Sequence, residues 1–184
     1  MTEKPWGELL FASKKQDWGT PPVLFSWIES RWGPFGLDAA AGAHNKRVER
    51  YLGPGSSLGE DSLATEWDCD TQKTVWINPP YGRGVGKWIT RAREQAHKHG
   101  LTVVCLIFAR TDTKWWHDEV MQHAVKVELF RGRVTFIDKD GEPRREKGRV
   151  TPAPAPSCLV VFGPVSSPEG RPQVTSESPP KEEW

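Results

Sequence analysis

The stretch VWINPPYGRG, residues 75–84, decides both the fold and the candidate site of this sequence. An apolar run ends there at a polar amide, Asn78, and two prolines and Tyr81 follow. Proline has no backbone N–H and fixes its own φ, so a central strand cannot continue through Pro79 and Pro80. The stretch therefore predicts a buried strand whose tip carries an asparagine, a rigid turn and an aromatic ring.

The segments on both sides of this stretch alternate between helical and extended patterns. Before it, Thr20 is expected to cap a helix with Pro21 at its first position, and residues 35–40 resemble a short buried strand. After it, an amphipathic helix ends at Gly100, and a continuous apolar run suggests a strand covered on both faces. This alternation predicts an α/β fold with a mixed, mostly parallel sheet and helices on both faces. The other helical segment is 111–124, and the strand-like segments are 73–78, 101–109, 126–130, 133–137 (RVTFI) and 157–163, with 47–52 (RVERYL) as a candidate short strand.

Length and composition indicate one ordinary domain in a chain of 184 residues. We expect a lead-in over 1–16, a domain over 17–163 with a basic, proline-rich loop at 139–157, and a disordered tail over 164–184. The chain shows no leader and no apolar stretch of membrane-spanning length, which predicts a cytoplasmic protein without a membrane partner. The three cysteines form no CxxC pair, so neither a metal site nor a disulfide framework is expected.

The strand tip at Asn78 suits one kind of chemistry. In open α/β sheets, ligands bind beyond the carboxyl ends of the strands. The Asn78 oxygen and a backbone carbonyl of the proline turn offer two acceptors to one NH2 group, and Tyr81 offers a flat face to a planar substrate. Accepting both hydrogens favours a tetrahedral nitrogen whose lone pair can attack an electrophilic carbon. An ordinary junction between strand and turn would use the same residues, so the tetrapeptide alone leaves both interpretations open.

The motif NPPY resembles the catalytic motif of amino-methyltransferases that use S-adenosylmethionine and act on adenine N6, cytosine N4 or glutamine amides. Over roughly residues 17–163 the chain resembles the phage-type DNA N6-adenine methyltransferase family. The resemblance implies an abbreviated, Rossmann-like class I methyltransferase fold. It is carried by DWGTP, LDAAAGAHN, EDSLATEW, VWINPPYG, ARTDTKWW, RGRVTF and APAPSCLVVFG, in the family's order.

The resemblance also assigns residues to the cofactor, S-adenosylmethionine. Thr20 and Pro21 take the place that contacts the methionine end, and Asp38 lies near its ammonium group. Ala40 belongs to DAAAG, where small alanines replace the glycines of larger methyltransferases, and Asp61 resembles the acid that accepts from the cofactor's adenine. An ordinary helix cap and a solvated loop aspartate remain alternatives for Thr20 and Asp38. The acid that holds the ribose is not evident, no metal is implied, and the cofactor set is Thr20, Pro21, Asp38, Ala40, Asp61 and Asn78.

The implied reaction is methyl transfer to adenine N6 of double-stranded DNA, with the target base turned out of the duplex. Asn78 and the Pro79 carbonyl would accept from the N6 amine, and Tyr81 would stack on the base, so the catalytic set is Asn78, Pro79, Pro80 and Tyr81. The basic segment 131–149 is expected to bind phosphates. A solubilising loop is the alternative there, and helix capping is the alternative for the residues after Arg110. The DNA-binding set is Arg110, Arg131, Arg133, Arg144 and Arg145.

Two other functions stay open from the sequence. One is methylation of another amino group, on cytosine N4, RNA adenine or protein glutamine. The other is a catalytically silent DNA-binding remnant that binds no cofactor. The sequence leaves the oligomeric state open, with a monomer favoured, and the expected location is the cytoplasm of a bacterial host, with a phage or prophage as the source.

Overall fold

The computed structural model describes residues 18–167 and 170–181, so the predicted lead-in over 1–16 lies outside the described residues. No helix in the described ranges is long and apolar enough to cross a membrane. The helices are α1 (Pro22–Trp32), α2 (Val85–His99) and α3, which joins a π-helical turn (Trp116–Val120) to one α-helical turn (Met121–His123). The strands are β1 (Leu37–Asp38), β2 (Thr74–Ile77), β3 (Thr102–Phe108), β4 (Lys126–Phe130), β5 (Arg145–Glu146), β6 (Arg149–Val150), β7 (Ser157–Phe162) and β8 (Gln173–Glu177).

Six strands form one sheet in the order β1-β2-β3-β7-β4-β8, and β5 and β6 form a separate hairpin. Strand β7 is antiparallel to both of its neighbours, and every other neighbouring pair in the sheet is parallel. The predicted mixed, mostly parallel sheet is confirmed. Because the parallel strands share one direction, their carboxyl ends lie along one edge, which we call the carboxyl edge. The opposite edge, the amino edge, carries the turns that precede β2 and β3.

Successive residues of β3 point into two different cores, one on each face of the sheet. Cys105 packs in the core that contains α2 and α3, whereas Leu106 packs in the core that contains α1. Each residue of the apolar run at 101–109 is therefore covered by one layer or the other, which explains why the run shows no alternation. The prediction of helices on both faces is confirmed.

Helix α2 follows its sequence pattern closely. Trp88, Ile89, Ala92 and Ala96 are all buried, so one face of the helix packs on the sheet. The helix ends at Gly100, whose left-handed conformation (φ 65°, ψ 40°) is the usual glycine stop. Gly100 then starts the turn into β3 at the amino edge.

The segment after β1 is a shortened version of a second strand. Residue Tyr51 bridges to Asp38 in parallel, and the Leu52 N–H donates to the Asp38 carbonyl at 2.9 Å. Gly53 then turns the chain at φ 139°, where a Cβ atom would lie 1.9 Å from the Ala41 carbonyl oxygen. Only glycine allows this close backbone approach, which ends the strand after one bridge.

The predicted strand RVTFI at 133–137 is wrong. The segment has no continuous partner strand, because its backbone groups bond to three separate parts of the chain. The Val134 carbonyl accepts from Ala153, the Phe136 carbonyl accepts from Arg144, and Ile137 forms only isolated bridges. Apolar alternation predicts which side chains are buried, but a strand also needs a ladder of hydrogen bonds to one neighbour.

The predicted disordered tail also differs from the structure, because residues 173–177 form strand β8 beside β4. Main-chain hydrogen bonds hold both of its ends, and Arg31 lies 3.5 Å from the Glu177 carboxylate. Strand β8 is at the sheet's edge, and its side chains are exposed or half-buried, so its sequence shows no apolar alternation. Backbone pairing, which composition does not report, orders this segment.

Candidate active site

The carboxyl edge brings the predicted site residues together. Asn78 follows β2 directly, Asp38 ends β1 beside it, and Arg110 follows β3 on the other side. Asn78 is half-buried and Pro79 is buried. Three neighbouring strands, β1, β2 and β3, therefore bring a carboxylate, an amide and a guanidinium to one edge of the sheet.

The side-chain amide of Asn78 is held at both ends. Its Nδ2 donates to the Trp18 carbonyl at 2.8 Å, and its Oδ1 accepts from the Tyr81 hydroxyl at 2.8 Å. These partners fix which end of the amide is the oxygen, and Oδ1 keeps a second lone pair for another donor. Within the described chain, the Pro79 carbonyl accepts no hydrogen bond. Two oxygen acceptors with free capacity therefore stand in consecutive residues.

Tyr81 belongs to a cluster of four aromatic rings, the aromatic cluster, which comprises Trp18, Tyr81, Phe108 and Phe136. The Tyr81 ring stacks on Phe108 at 4.1 Å and lies 5.7 Å from Trp18 and 5.2 Å from Phe136. Tyr81 is buried, and burial raises the pKa of its hydroxyl well above the ordinary value. The hydroxyl therefore stays protonated and acts as a donor to Asn78, while Phe108 covers one face of the ring.

Asp38 is a buried carboxylate, and the positive charge of Arg47 offsets only part of the cost of its burial. Its oxygens accept from the backbone N–H groups of Arg47 at 2.9 Å and Ala40 at 3.3 Å. Desolvation by burial outweighs these hydrogen bonds and raises the pKa of Asp38 from 3.8 to about 6. A carboxylate in this state gains from any cation that reaches it, which fits an ammonium group.

Thr20 differs from its predicted role as a helix cap. Helix α1 begins at Pro22 with Pro21 in the cap position, and no side chain caps it. The Thr20 side chain is buried, and its Oγ1 has no hydrogen-bond partner in the described chain. A buried hydroxyl without a partner is costly, so this atom fits a polar ligand group. The Thr20 carbonyl accepts from the Arg47 guanidinium, which ties this segment to the Asp38 loop.

Asp61 lies in a tight polar turn near the end of β1. Its carboxylate is exposed and accepts from the Leu63 N–H at 3.0 Å, so part of its bonding serves the turn itself. The neighbouring Ser62 is buried, and its hydroxyl donates to the Ala39 carbonyl at 2.5 Å. This bond fixes the turn over β1, next to the half-buried Ala40. Sequence reasoning missed Ser62, because a serine in a polar loop gives no signal of burial.

The predicted DNA-binding arginines all lie at or beyond the carboxyl edge, and the side chains of Arg131, Arg133 and Arg145 each make one hydrogen bond. Arg131 reaches Ser176 at 3.2 Å, Arg133 reaches the Ala153 carbonyl at 3.1 Å, and Arg145 reaches the Gly148 carbonyl at 3.4 Å. These bonds are to neutral groups, so they leave the guanidinium charges uncompensated. A cavity of about 240 Å³ between the segment after β4 and the start of α1 is lined by Arg131, Arg133, Pro21, Phe130 and Lys181, among others.

Two arginines extend this basic surface close to Asn78. The side chain of Arg110 is exposed and has no hydrogen-bond or ion-pair partner in the described residues, and its carbonyl accepts from the Thr113 hydroxyl at 2.8 Å. The π-helical turn of α3 has no side-chain cap at Trp115, the residue before it. Arg83, which follows Tyr81 by two positions, is equally exposed and was missed by sequence reasoning. Its nearness to the NPPY motif was the available signal.

Arg144 makes contacts of a different kind. Its guanidinium carbon lies 4.3 Å from the Trp18 ring centroid, and its nitrogens donate to the Thr151 and Pro152 carbonyls at 3.4 and 3.3 Å. It also pairs with Glu146 in the adjacent hairpin. In the described residues, no group of three or more His, Cys, Asp or Glu side chains is placed to hold a metal ion.

Comparison with known proteins gives the family. A family model described as DNA N-6-adenine-methyltransferase (Dam) matches residues 9–179, a range that includes β8. The chain is 29% identical over 154 residues to the DNA N-6-adenine-methyltransferase of Haemophilus phage HP1 (strain HP1c1), covering 83% of this chain and 81% of that protein. It is 32% identical over 133 residues to the DNA N-6-adenine-methyltransferase of Escherichia phage T1, covering 72% of this chain and 52%, about half, of that protein. This chain therefore belongs to the DNA N-6-adenine-methyltransferase (Dam) family.

Proposed function

We propose that this protein transfers a methyl group from S-adenosylmethionine to N6 of an adenine turned out of double-stranded DNA. Its family is that of adenine-specific DNA methyltransferases. The observation that carries the proposal is the pair of acceptors at the tip of β2. Asn78 Oδ1 and the Pro79 carbonyl both have free bonding capacity, and neither proline offers a competing N–H.

The chemical problem is the low nucleophilicity of an aromatic amine, whose lone pair is delocalised into the ring. When Asn78 and Pro79 accept its two hydrogens, the nitrogen is drawn toward a tetrahedral state and its lone pair becomes available. When bound, S-adenosylmethionine supplies an electrophilic methyl carbon on a sulfonium sulfur. The methyl carbon would bond to N6 as its bond to sulfur breaks, and the extra N6 proton would pass to water. Acceptors fixed in advance where positive charge develops stabilise this transition state.

The proposed cofactor site uses the unsatisfied groups around β1. Asp38 would pair with the ammonium group of the methionine moiety, because the charge around its carboxylate offsets only part of the cost of burial. The Thr20 hydroxyl, buried and without a partner in the described chain, would donate to the methionine carboxylate beside Pro21. Ala40 allows close approach, and Asp61 would accept from the cofactor's adenine amine. One Asp61 oxygen already accepts from the Leu63 N–H of its own turn.

The proposed DNA surface is the carboxyl edge. Arg110, Arg131, Arg133, Arg144 and Arg145 would bind phosphates around the base that enters the site. Tyr81 would hold Asn78 through its hydroxyl, while its buried ring supports the site from within the aromatic cluster. We place the activity in the cytoplasm of a bacterial host, since the similar proteins named above come from phages that infect bacteria.

Replacing the acceptor tests the proposal directly. Protein expressed in cells that lack other adenine methylation should yield DNA containing N6-methyladenine, detected by mass spectrometry of nucleosides and located by sequencing. Asn78→Ala should lower the methylation rate by at least about a hundredfold, because it removes one of two preorganised acceptors. Binding of S-adenosylmethionine by calorimetry should persist in the variant.

Gln122→Ala, which truncates an exposed amide on α3, is the matched control and should methylate normally. Methylated DNA that contains N4-methylcytosine in place of N6-methyladenine would reject the proposed substrate. The absence of binding heat with S-adenosylmethionine would favour a silent DNA-binding remnant. Full activity of Asn78→Ala would contradict the mechanism even if the product is N6-methyladenine.

A further inference from the structure

We propose that Trp18 is a substrate-contacting residue whose indole forms the outer wall of the target-base site and links it to the DNA-binding hairpin through Arg144. The inference rests on the proposed function, since it concerns the same site. It starts from the aromatic cluster beside Asn78, in which Trp18 differs from the other members.

The first difference is exposure. Phe136 has no exposed surface, and Tyr81 and Phe108 are 6% and 8% exposed, whereas Trp18 is half-buried. Its ring rests on this buried layer, stacked on Phe136 at 5.7 Å and 29°. Within the cluster, Trp18 is thus the ring with free surface for an arriving base, whereas Phe108 already covers one face of Tyr81.

The second observation is that Trp18 is fixed next to the acceptor atoms. The Trp18 carbonyl accepts a hydrogen bond from Asn78 Nδ2 at 2.8 Å, so the residue that carries the indole contacts the catalytic amide directly. Two backbone hydrogen bonds between Gly19 and Ile137, at 2.8 and 3.1 Å, hold the segment in place. An aromatic surface at this position will border any base whose amine reaches Asn78.

The third observation is the cation over the indole. Arg144 lies 4.3 Å from the Trp18 ring centroid and belongs to the segment that leads into the β5–β6 hairpin. Without DNA, the guanidinium covers part of the ring that a base would need. Arg144 already pairs with Glu146 in the hairpin, and a DNA phosphate would offer its guanidinium a second charge-assisted partner on the side that faces the duplex. Binding of the DNA backbone to Arg144 would therefore release indole surface to the base.

Stacking on an aromatic ring holds any base, because every base has a π-face. Trp18 would therefore stabilise any turned-out base, and selectivity for adenine would come from the polar acceptors, Asn78 and the Pro79 carbonyl. This division of roles predicts that removing the indole lowers kcat/KM for DNA and leaves the affinity for S-adenosylmethionine unchanged. The Trp18 carbonyl survives any side-chain substitution, so the support for Asn78 remains in these variants.

The test compares Trp18→Ala, Trp18→Leu and Trp18→Phe with the wild type on unmethylated plasmid DNA. Trp18→Ala should reduce kcat/KM for DNA by about tenfold or more, the range expected for loss of one base–aromatic stack. Trp18→Phe, which keeps a ring, should recover most of the activity, and Trp18→Leu should not. The dissociation constant for S-adenosylmethionine should stay within about twofold of the wild-type value in all three variants, since the cofactor groups are untouched.

Trp27→Ala is the matched control. Trp27 is also half-buried with a cation over its ring, Arg31 at 4.7 Å, but it lies on α1 away from Asn78. Its removal should not change kcat/KM for DNA. Equal activity of Trp18→Leu and Trp18→Phe would overturn the inference, and so would a loss of cofactor binding that matches the loss of activity. If the wild type methylates no adenine, the proposed function fails. If the wild type is active and Trp18→Ala keeps its full activity, only the inference about Trp18 fails.

Discussion

At the scale of single residues, the site combines groups that would be unfavourable in a purely structural role. Asp38 is buried without a full counter-charge, and the Thr20 hydroxyl lacks a partner in the described chain. Such groups cost stability, and proteins retain them where a ligand supplies the missing interaction. Arg47 connects the two residues. Its guanidinium donates to the Thr20 carbonyl, and its backbone N–H donates to the Asp38 carboxylate.

Asp38→Asn is expected to raise the free energy of unfolding at neutral pH. The folded-state pKa of about 6 exceeds the ordinary value of 3.8, so the folded protein binds more protons between these values than the unfolded chain does. The free energy of unfolding of the wild type therefore falls as pH rises through this window, by roughly 3 kcal/mol for a shift of this size. The amide removes this penalty because it does not ionise. Urea unfolding at a series of pH values measures this difference between the wild type and Asp38→Asn. If the free energy of unfolding of the two proteins changes with pH in the same way, the prediction is contradicted.

Cofactor binding should follow the opposite trend in the wild type. The ammonium group of S-adenosylmethionine needs an ionised Asp38, so affinity should increase as pH rises through about 6 and then level off. In Asp38→Asn the affinity should be low and nearly independent of pH in this range. Calorimetry at several pH values measures both.

Sequence patterns predicted the residues of contiguous motifs and missed those that depend on distant contacts. Asn78 and its proline turn could be recognised because the residues that carry the chemistry are adjacent in the sequence. Trp18 could not, since its contact with Asn78 joins residues 60 positions apart. Thr20 was placed in the right region but given the wrong local role, because either Pro21 or Pro22 suits the start of a helix.

At the scale of elements, the helices, the central strands and the short edge strand β1 were predictable, whereas the opposite edge strand, β8, was not. Strands β2 and β3 and helix α2 bury most of their side chains, so their patterns are strong. Strand β8 and the one-bridge strand at Tyr51 depend on main-chain hydrogen bonds to a neighbour. Backbone pairing leaves little trace in side-chain composition, which explains both the unpredicted β8 and the wrongly predicted strand at 133–137.

A pair of proline substitutions tests whether β8 is part of the folded sheet. The register pairs Thr175 with Glu128, and the alternation of parallel ladders then directs the Thr175 N–H at β4 and the Val174 N–H outward. Thr175→Pro should lower the free energy of unfolding by about 1–3 kcal/mol, because it removes a ladder hydrogen bond. Val174→Pro, at an exposed position, should have a much smaller effect. Urea unfolding measures both, and equal small effects would indicate that β8 contributes little to stability.

At the scale of the whole molecule, the net charge of +1 conceals an uneven distribution. Guanidinium groups concentrate at the carboxyl edge, where most of them contact neutral groups or solvent. Acidic side chains elsewhere balance the total, as in the Glu66 cluster with Lys98 and His99 at the end of α2. A nearly neutral protein can therefore present one basic surface to DNA.

The salt dependence of DNA binding should report this surface. Removing two phosphate contacts with Arg131→Ala/Arg145→Ala should reduce the slope of log K against log salt by about 2, because fewer counterions are released. The matched control, Lys98→Ala/Arg171→Ala, makes the same change in net charge near the amino edge. Its slope should equal that of the wild type. If both double variants change the slope alike, binding responds to total charge and the carboxyl edge is not the contact surface.

The amino edge has a practical use that follows from the strand directions. The turn before β2 is exposed, and Asp70 and Lys73 adopt positive φ in it. Strand β2 begins at this turn and ends at Asn78, so the turn and the candidate site lie at opposite ends of the strand. Peptide tags, fluorophores or a tether to a solid support attached at this turn would leave the DNA-facing side unobstructed. The protein could thus be immobilised or fused to a targeting module at residues 70–73 while its opposite side still engages a duplex.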